Sequence, residues 1–444
     1  MKKIAIALIL ALATFFVAGY AFNTQHATLL GIIVFLVALW TNEALPLGVV
    51  SLLPILLFPT FDIMSTNATS VNYSKSIIFL FLGGFMIAIA TQKTNLHKYV
   101  SNKLLTLFPN TPRGILFSLS ITSAFLSSLI SNTTTALLLI PIAMFLTDDL
   151  RLKMRLVLAI AYGASIGGIV TPIGTPPNLI LLGFMEQQSI EAIPFVKWIF
   201  LTGPLAFVML LIIPFVLSLG VNNLKFDTHL EDREHLNSEQ RRLLYILGSL
   251  VVLLLVNSKI EPYYSGLGIN EKGILLGYGL LMFLPKIGFL TWDDTKKIPY
   301  EIIFLFGAGF SIAAAFSSTG LATEIANYLL QLTNLPVVFL IILVATLITF
   351  TTEVTSNTAL ISIALPIIYS LSQVANIDST LILFVATICA SYAFMLPIAT
   401  PPNAIAMSSG AVKVKDMAKF GIVFNIFGII CITTIALVYW QYYL

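Results

Sequence analysis

Apolar residues along this chain come in long runs, not at the spacing of a surface helix. Runs of spanning or near-spanning length lie at about 4–22, 28–41, 46–60, 76–91, 154–185, 198–220, 242–257, 267–285, 300–318, 378–409 and 418–440. They predict an all-α polytopic membrane protein with about 11 transmembrane helices. Two further apolar pairs, 114–130 with 134–147 and 336–350 with 357–371, are each interrupted by one polar tripeptide. The first is Ser131-Asn132-Thr133 and the second Ser356-Asn357-Thr358, with Pro141 and Pro366 ten residues on from each serine. Polar groups at membrane depth are costly unless something binds to them. The pair of tripeptides therefore reads as a binding site for a small ion.

Composition agrees. Hydrophobic residues are 58% of the 444 and charged residues 10%, too few charges to cover a soluble protein of this size. The net charge of +3 decides little, but the placement of the charges decides much. With the N-terminus in the cytoplasm, 19 Lys and Arg fall on cytoplasmic connections and 4 (Lys75, Lys197, Lys259, Lys272) on outer ones, as the positive-inside rule requires. The C-terminus is then outside the plasma (bacterial inner) membrane. The run after Met1-Lys2-Lys3 resembles a secretory signal but lacks a clean cleavage site before Phe22, so a retained first span is expected.

The same rule orients the interrupted pairs. Basic stretches at 93–113 and 151–155 flank the first, whereas 319–335 and 372–380 around the second contain no Lys or Arg. The arms of the first pair, 17 and 14 residues long, reach only about 20–25 Å as helices, against a hydrocarbon layer about 30 Å thick. Two re-entrant hairpins are expected, one from each face, with non-helical tips tolerated only where protein or a cavity surrounds them.

An offset of 225 residues relates more than the tripeptides. Ile77-Ile78-Phe79-Leu80-Phe81 recurs as Ile302-Ile303-Phe304-Leu305-Phe306, and Gly84-Phe85 as Gly309-Phe310. Pro172-Ile173-Gly174-Thr175-Pro176-Pro177-Asn178 recurs as Pro397-Ile398-Ala399-Thr400-Pro401-Pro402-Asn403. Three blocks in one register mark a duplicated unit. An odd number of crossings separates matched points, so the halves are expected upside down to each other, as in secondary transporters with a midplane site. The expected division is a first span at 1–25, a first repeat at 26–221 (hairpin 114–147, broken helix 154–185), a connector at 222–241 and a second repeat at 242–444 (hairpin 336–371, broken helix 378–409).

Each Thr-Pro-Pro-Asn lies in a run about ten residues longer than a crossing needs. Pro176 and Pro401 remove backbone donors and the following prolines fix a second φ, so both helices are expected to break there. A break offers free N–H groups, which attract anions, and free carbonyls, which coordinate cations. Ser127 and Thr352, each four residues before a tip serine, match at the same offset and point to oxygens near an ion. No Lys or Arg lies near either tip or break, so a bound dianion calls for co-bound cations. Glu353, the one acid close to a tip, reads as an interfacial or hydrogen-bonded structural acid, and so does Glu43 beside Asn42. Cys389 and Cys431 sit in apolar runs and read as core. His26, His97, His229 and His235 all fall in polar or interfacial stretches, which leaves no histidine for catalysis or metal binding within an arm.

On the paired Ser-Asn-Thr and paired Thr-Pro-Pro-Asn, the sequence resembles the divalent-anion:sodium symporter family over nearly its whole length. The resemblance implies a carrier, not an enzyme, that moves Na⁺ together with a C4-dicarboxylate such as succinate, fumarate or malate. It also implies a homodimer in the lipid bilayer with an elevator-type transport domain. It carries substrate contacts onto Ser131, Asn132, Thr133, Thr175, Ser356, Asn357, Thr358 and Thr400. It carries one sodium onto Ser127, Ile130, Ser131, Asn132 and Gly174, and a second onto Thr352, Thr355, Asn357 and Ala399. Sodium-independent exchange, or citrate or sulfate as cargo, remains open within the family. No nucleic-acid partner is expected. A channel, or an enzyme with Ser131 or Thr133 as nucleophile, stands outside the family; the enzyme lacks a nearby general base.

Overall fold

Caps and prolines divide the apolar runs into separate helices. The computed structural model describes residues 2–42, 44–105, 107–222, 236–258, 264–328 and 336–444, and all its regular elements are helices. The chain begins with α1 (Lys2–Ala18), α2 (Thr24–Asn42), α3 (Leu47–Thr60), the short α4 (Thr66–Ser70), α5 (Ser76–Lys93) and α6 (Leu96–Leu105). Next come α7 (Pro112–Ser127), α8 (Asn132–Phe145), α9 (Leu150–Val170), α10 (Pro176–Gln187) and α11 (Phe195–Ser218). After the connector lie α12 (Ser238–Asn257), α13 (Glu271–Leu281), α14 (Tyr300–Thr319) and α15 (Leu321–Tyr328). The last stretch holds α16 (Val337–Thr352), α17 (Asn357–Ala375), α18 (Ser379–Ala390), α19 (Pro401–Ser408) and α20 (Val414–Ile435), the last continued by helical turns to Tyr443. Seven of the described helical stretches are long and apolar enough to cross a membrane, and the chain is an all-helical, multi-pass membrane protein. Glu43, Lys259, His229, His235 and residues 223–235 of the connector lie outside the described residues.

Local chemistry explains the boundaries. Thr111, Asp149 and Asn237 cap α7, α9 and α12 by accepting backbone N–H bonds with their side chains. Prolines open α10 and α19 at their first turns, where a missing N–H costs nothing. The apolar run at 267–285 departs from expectation, because it is helical only over Glu271–Leu281. Pro285 stops it, the chain turns at Lys286 with φ 67°, and the amides of Phe289 and Leu290 fold back onto the Met282 carbonyl at 2.7 and 2.8 Å.

Small residues set the closest helix contacts. Gly163 and Gly167, four apart on α9, face α7, and a Cβ at Gly167 would lie 2.1 Å from the Ala124 carbonyl oxygen. Such small-residue pairs let membrane helices approach at backbone distance. Gly83 of α5 meets Gly279 of α13 in the same way. A smaller buried cluster joins α1, α2 and α3 to α14 and α15, and a larger one carries the rest of the core. Near the end of α5, Lys93 approaches Asp294 at 2.6 Å. That ammonium, with the Thr291 amide, holds the Asp294 carboxyl well below the usual carboxylate range.

Helix boundaries carry the 225-residue register. α16 begins at 337 and α7 at 112, and they end at 352 and 127, both differences being 225. α8 and α17 begin at 132 and 357, and α10 and α19 at 176 and 401, again 225 apart. The interruptions between the half-helices do not match in length. Residues 171–175 separate α9 from α10, whereas 391–400 separate α18 from α19.

Candidate functional site

Each Ser-Asn-Thr stands at the start of a helix because its serine adopts an extended, N-capping conformation. Ser131 caps α8: its Oγ accepts the Thr134 N–H at 3.2 Å and contacts the Thr134 hydroxyl at 2.8 Å. Thr134, which no reading of the tripeptide singled out, thus belongs to the first tip. Ser356 caps α17 without a side-chain bond to that helix. Ser131 is exposed; Asn132, Thr133, Ser356 and Asn357 are half-buried and Thr358 is buried.

Each asparagine is held by a hydroxyl of the preceding arm. Ser127, wholly buried, donates its hydroxyl to Asn132 Oδ1. Thr352, also wholly buried, donates to Asn357 Oδ1 at 2.5 Å. Each bond spans the tip, from the last turn of the first arm to the first residue of the second. An amide whose oxygen is engaged in this way has its plane fixed, and its neighbouring oxygens form a preset cluster. The donors and acceptors within each cluster are hydroxyl, amide and carbonyl groups, suited to a hard, weakly held monovalent cation.

The first set of predicted ion ligands comes together. Ile130, Ser131 and Gly174 line one cavity of about 60 Å³. Its other walls include Phe81 and Phe306, stacked at 4.2 Å. Gly168 lies against the Asn132 side chain, and Gly174 against Gly168, so Ser127, Asn132 and Gly174 belong to the same neighbourhood. Gly168 is a site residue that the sequence did not single out; its nearness to Asn132 depends on how α9 packs against the tip.

The second set is linked through the unwound stretch 391–400. The Thr352 hydroxyl lies 2.9 Å from the Ala390 carbonyl as well, so its one proton is shared between that oxygen and Asn357 Oδ1, and the Ala399 amide donates to the Leu396 carbonyl at 3.2 Å. Thr355, just past the end of α16, donates its hydroxyl to the Thr351 carbonyl at 2.9 Å, which leaves the oxygen lone pairs of that hydroxyl free to face an ion. Thr175 and Thr400 are buried N-caps of α10 and α19. Thr400 Oγ accepts the Asn403 N–H at 3.4 Å, and Thr175 makes no such bond.

The asparagines of Thr-Pro-Pro-Asn hold the breaks. Asn178 Nδ2 donates to the carbonyls of Gly168 and Thr171 at 3.1 and 2.9 Å. Asn403 Nδ2 donates to Ala393 and Leu396 at 2.9 and 3.0 Å. Both acceptor pairs are offset by 225, since 168 + 225 = 393 and 171 + 225 = 396. Carbonyls freed by a broken helix must find donors away from water, and one amide serves two in each copy.

The half-helices pack across the molecule. α10 lies on α17, and α19 on α8, so the second half of each broken helix meets the second arm of the opposite tip. α10 and α17 also pack on α14, whereas α8 and α19 have their main contacts with each other and with α9.

A family model described as Citrate transporter matches residues 35–390. The Staphylococcus saprophyticus protein named sodium-dependent dicarboxylate transporter SdcS is 29% identical, covering 91% of this chain and 84% of that protein. The SdcS of Staphylococcus aureus strain NCTC 8325 is 31% identical, covering 96% and 89%. Among solved structures, Neisseria gonorrhoeae MtrF, described as one of a class of antimetabolite efflux pumps, aligns with a TM-score of 0.62 at 15% identity. That alignment covers 84% of this chain and 83% of MtrF. The Alcanivorax borkumensis YdaH transporter aligns at 0.61 and 14% identity, covering 84% and 87%. These two likenesses concern the fold alone.

Proposed function

This chain belongs to the Citrate transporter family, of the divalent-anion:sodium symporter type, and from that premise we propose that it is a sodium-coupled carrier of C4-dicarboxylates such as succinate, fumarate and malate. The observation that carries the reading is the repeated clasp, Ser127 on Asn132 and Thr352 on Asn357. It sets two oxygen clusters, 225 residues apart, that bring no fixed cation of their own. A dicarboxylate carries two negative charges, and the two tips offer one set of N-terminal amides to each carboxylate. Sodium, as cargo, supplies the positive charge that side chains do not.

In this reading Ser131, Asn132, Thr133, Ser356, Asn357 and Thr358 meet substrate, with Thr175 and Thr400 at the breaks. One sodium rests among Ser127, Ile130, Ser131, Asn132 and Gly174, and the other among Thr352, Thr355, Asn357 and Ala399. The tips belong to re-entrant hairpins of two inverted repeats at 26–221 and 242–444, with 1–25 as an extra first span and 222–241 as connector. The protein sits in the bacterial cell membrane with its N-terminus inside and C-terminus outside, works as a homodimer, and moves its substrate by an elevator-type step.

Purified protein in liposomes tests the reading. Succinate uptake should rise with an inward Na⁺ gradient, and uptake indifferent to that gradient would sink symport. A competition panel of succinate, fumarate, malate, citrate and sulfate separates dicarboxylates from the other dianions. Ser127→Ala leaves Asn132 without its hydroxyl donor. It should raise the Na⁺ concentration for half-maximal uptake about tenfold, as loss of a supporting contact does at metal sites. Succinate affinity at saturating Na⁺ should change far less. Equal losses in both would contradict a sodium role for Ser127.

A further inference from the structure

The two breaks differ, and the difference points to a residue that nothing so far has given a role in transport. Gly167 lets α9 continue to Val170 at backbone distance from α7, and Gly168 beside it makes room for the Asn132 side chain. At the matching positions, 167 + 225 = 392 and 168 + 225 = 393, stand Tyr392 and Ala393. The Tyr392 ring is wholly buried against Phe394, and Gly428 of α20 lies hard against it. A helix carrying that ring cannot approach as α9 does, and α18 stops at Ala390.

Unwinding frees groups that a helix would have paired. In a continuous helix the Phe394 amide would bond the Ala390 carbonyl. Here consecutive residues of the second tip take both ends of that lost bond. Thr352 donates to the Ala390 carbonyl at 2.9 Å, and Glu353 accepts the Phe394 N–H at 2.7 Å. Glu353 also accepts the Met395 N–H at 2.9 and 3.1 Å on its two oxygens, and the Leu396 N–H at 3.0 Å. Asn425 Nδ2 of α20 completes the set at 2.6 Å. The side chain is buried, at 3% exposure. Successive amides converging on one acidic group form a backbone nest, filled here by the protein's own carboxyl group. The first tip has no such device. Its matching residue is Ser128 (353 − 225), which instead accepts the Thr171 hydroxyl on its backbone oxygen at 2.7 Å.

We propose that Glu353 is a positioning residue for the cation at the second tip. By replacing the helix's own acceptors along 394–396, it holds the stretch 391–400 unwound against the tip. The Thr352 hydroxyl and the Asn357 amide then keep their clasp beside the Ala399 backbone. This role rests on the sodium reading of that tip and deepens it. It makes the second cation dependent on a side chain that does not touch it, while the first cation has no counterpart.

Glu353→Gln keeps the shape but places an amide group where several donors converge. In liposomes, the Na⁺ concentration for half-maximal succinate uptake should rise at least about tenfold, as when an outer-shell partner of a metal ligand is lost. Succinate KM at saturating Na⁺ should stay within a few-fold of the parent. Hydrogen–deuterium exchange should quicken in peptides covering 394–396 and not in those covering 171–175. Asn425→Ala removes one donor and leaves the carboxyl group; it should shift Na⁺ dependence the same way by less, and it decides the matter if Glu353→Gln does not fold. Unchanged Na⁺ dependence in the folded variant, or equal losses in Na⁺ and succinate affinity, overturns the role. A parent protein whose own uptake ignores Na⁺ overturns the sodium reading instead, a result distinct from either.

Discussion

Asn132→Ala and Asn357→Ala should each reduce Na⁺-driven succinate uptake to background, a loss of about 100-fold or more, at the upper end for disrupting the support of a bound metal ion. Each change removes a tip amide and strands a buried hydroxyl that had only a limited choice of partners. Ser127 loses its acceptor in the first case, and Thr352 keeps only the Ala390 carbonyl in the second. Both variants should still purify as folded protein with the parent's elution volume, because the tip asparagines are half-buried and the helices behind them are held by apolar packing. Uptake at the parent's rate in either variant would contradict the site. If Asn357→Ala alone were silent, the two tips would not be equivalent hands of one clamp.

Gly168→Ala should be nearly as damaging, although it adds one methyl group to a residue that carries no chemistry. A Cβ there would lie 2.8 Å from Asn132 Oδ1 and 3.0 Å from its Nδ2, so the amide must swing away from Ser127. Overpacking of this kind costs about 1–3 kcal/mol. The cost falls on the clasp itself, and Na⁺-driven uptake should drop by about 5- to 150-fold, each 1.4 kcal/mol being one factor of ten. Gly203→Ala is the control: nothing lies within 4 Å of its Cβ position, and transport should be preserved. Parent-like uptake by Gly168→Ala would mean that Asn132 does not need its present orientation.

The tripeptides were legible because their cost is local. A polar triplet in a hydrocarbon-length run stands out whatever surrounds it, and proline at 176 or 401 ends a helix by what it lacks. The register was legible because helix ends follow the sequence blocks, as α7 and α16 show by starting and stopping 225 residues apart. Glu353 was legible only as an acid with some hydrogen bond. Nothing near it in the chain names its donors, which lie about 40 residues on at 394–396 and 72 residues on at Asn425. Asn178 and Asn403 were visible as matched residues, but their work as staples on two carbonyls each was not. The run at 267–285 misled because hydropathy carries no sense of direction, and Pro285 with Lys286 at positive φ bends the chain back after Leu281.

By itself, then, the sequence determined the membrane-embedded helical class, the two polar tips, the two breaks and their pairing at one offset. All of these follow from residue chemistry within a few positions along the chain. Tertiary structure decided which oxygen each freed amide would find, that Gly168 would press on Asn132, and that the second break would run to ten residues where the first has five. Those outcomes depend on how closely one helix can approach another, and Gly167 and Tyr392, at equivalent places, give opposite answers.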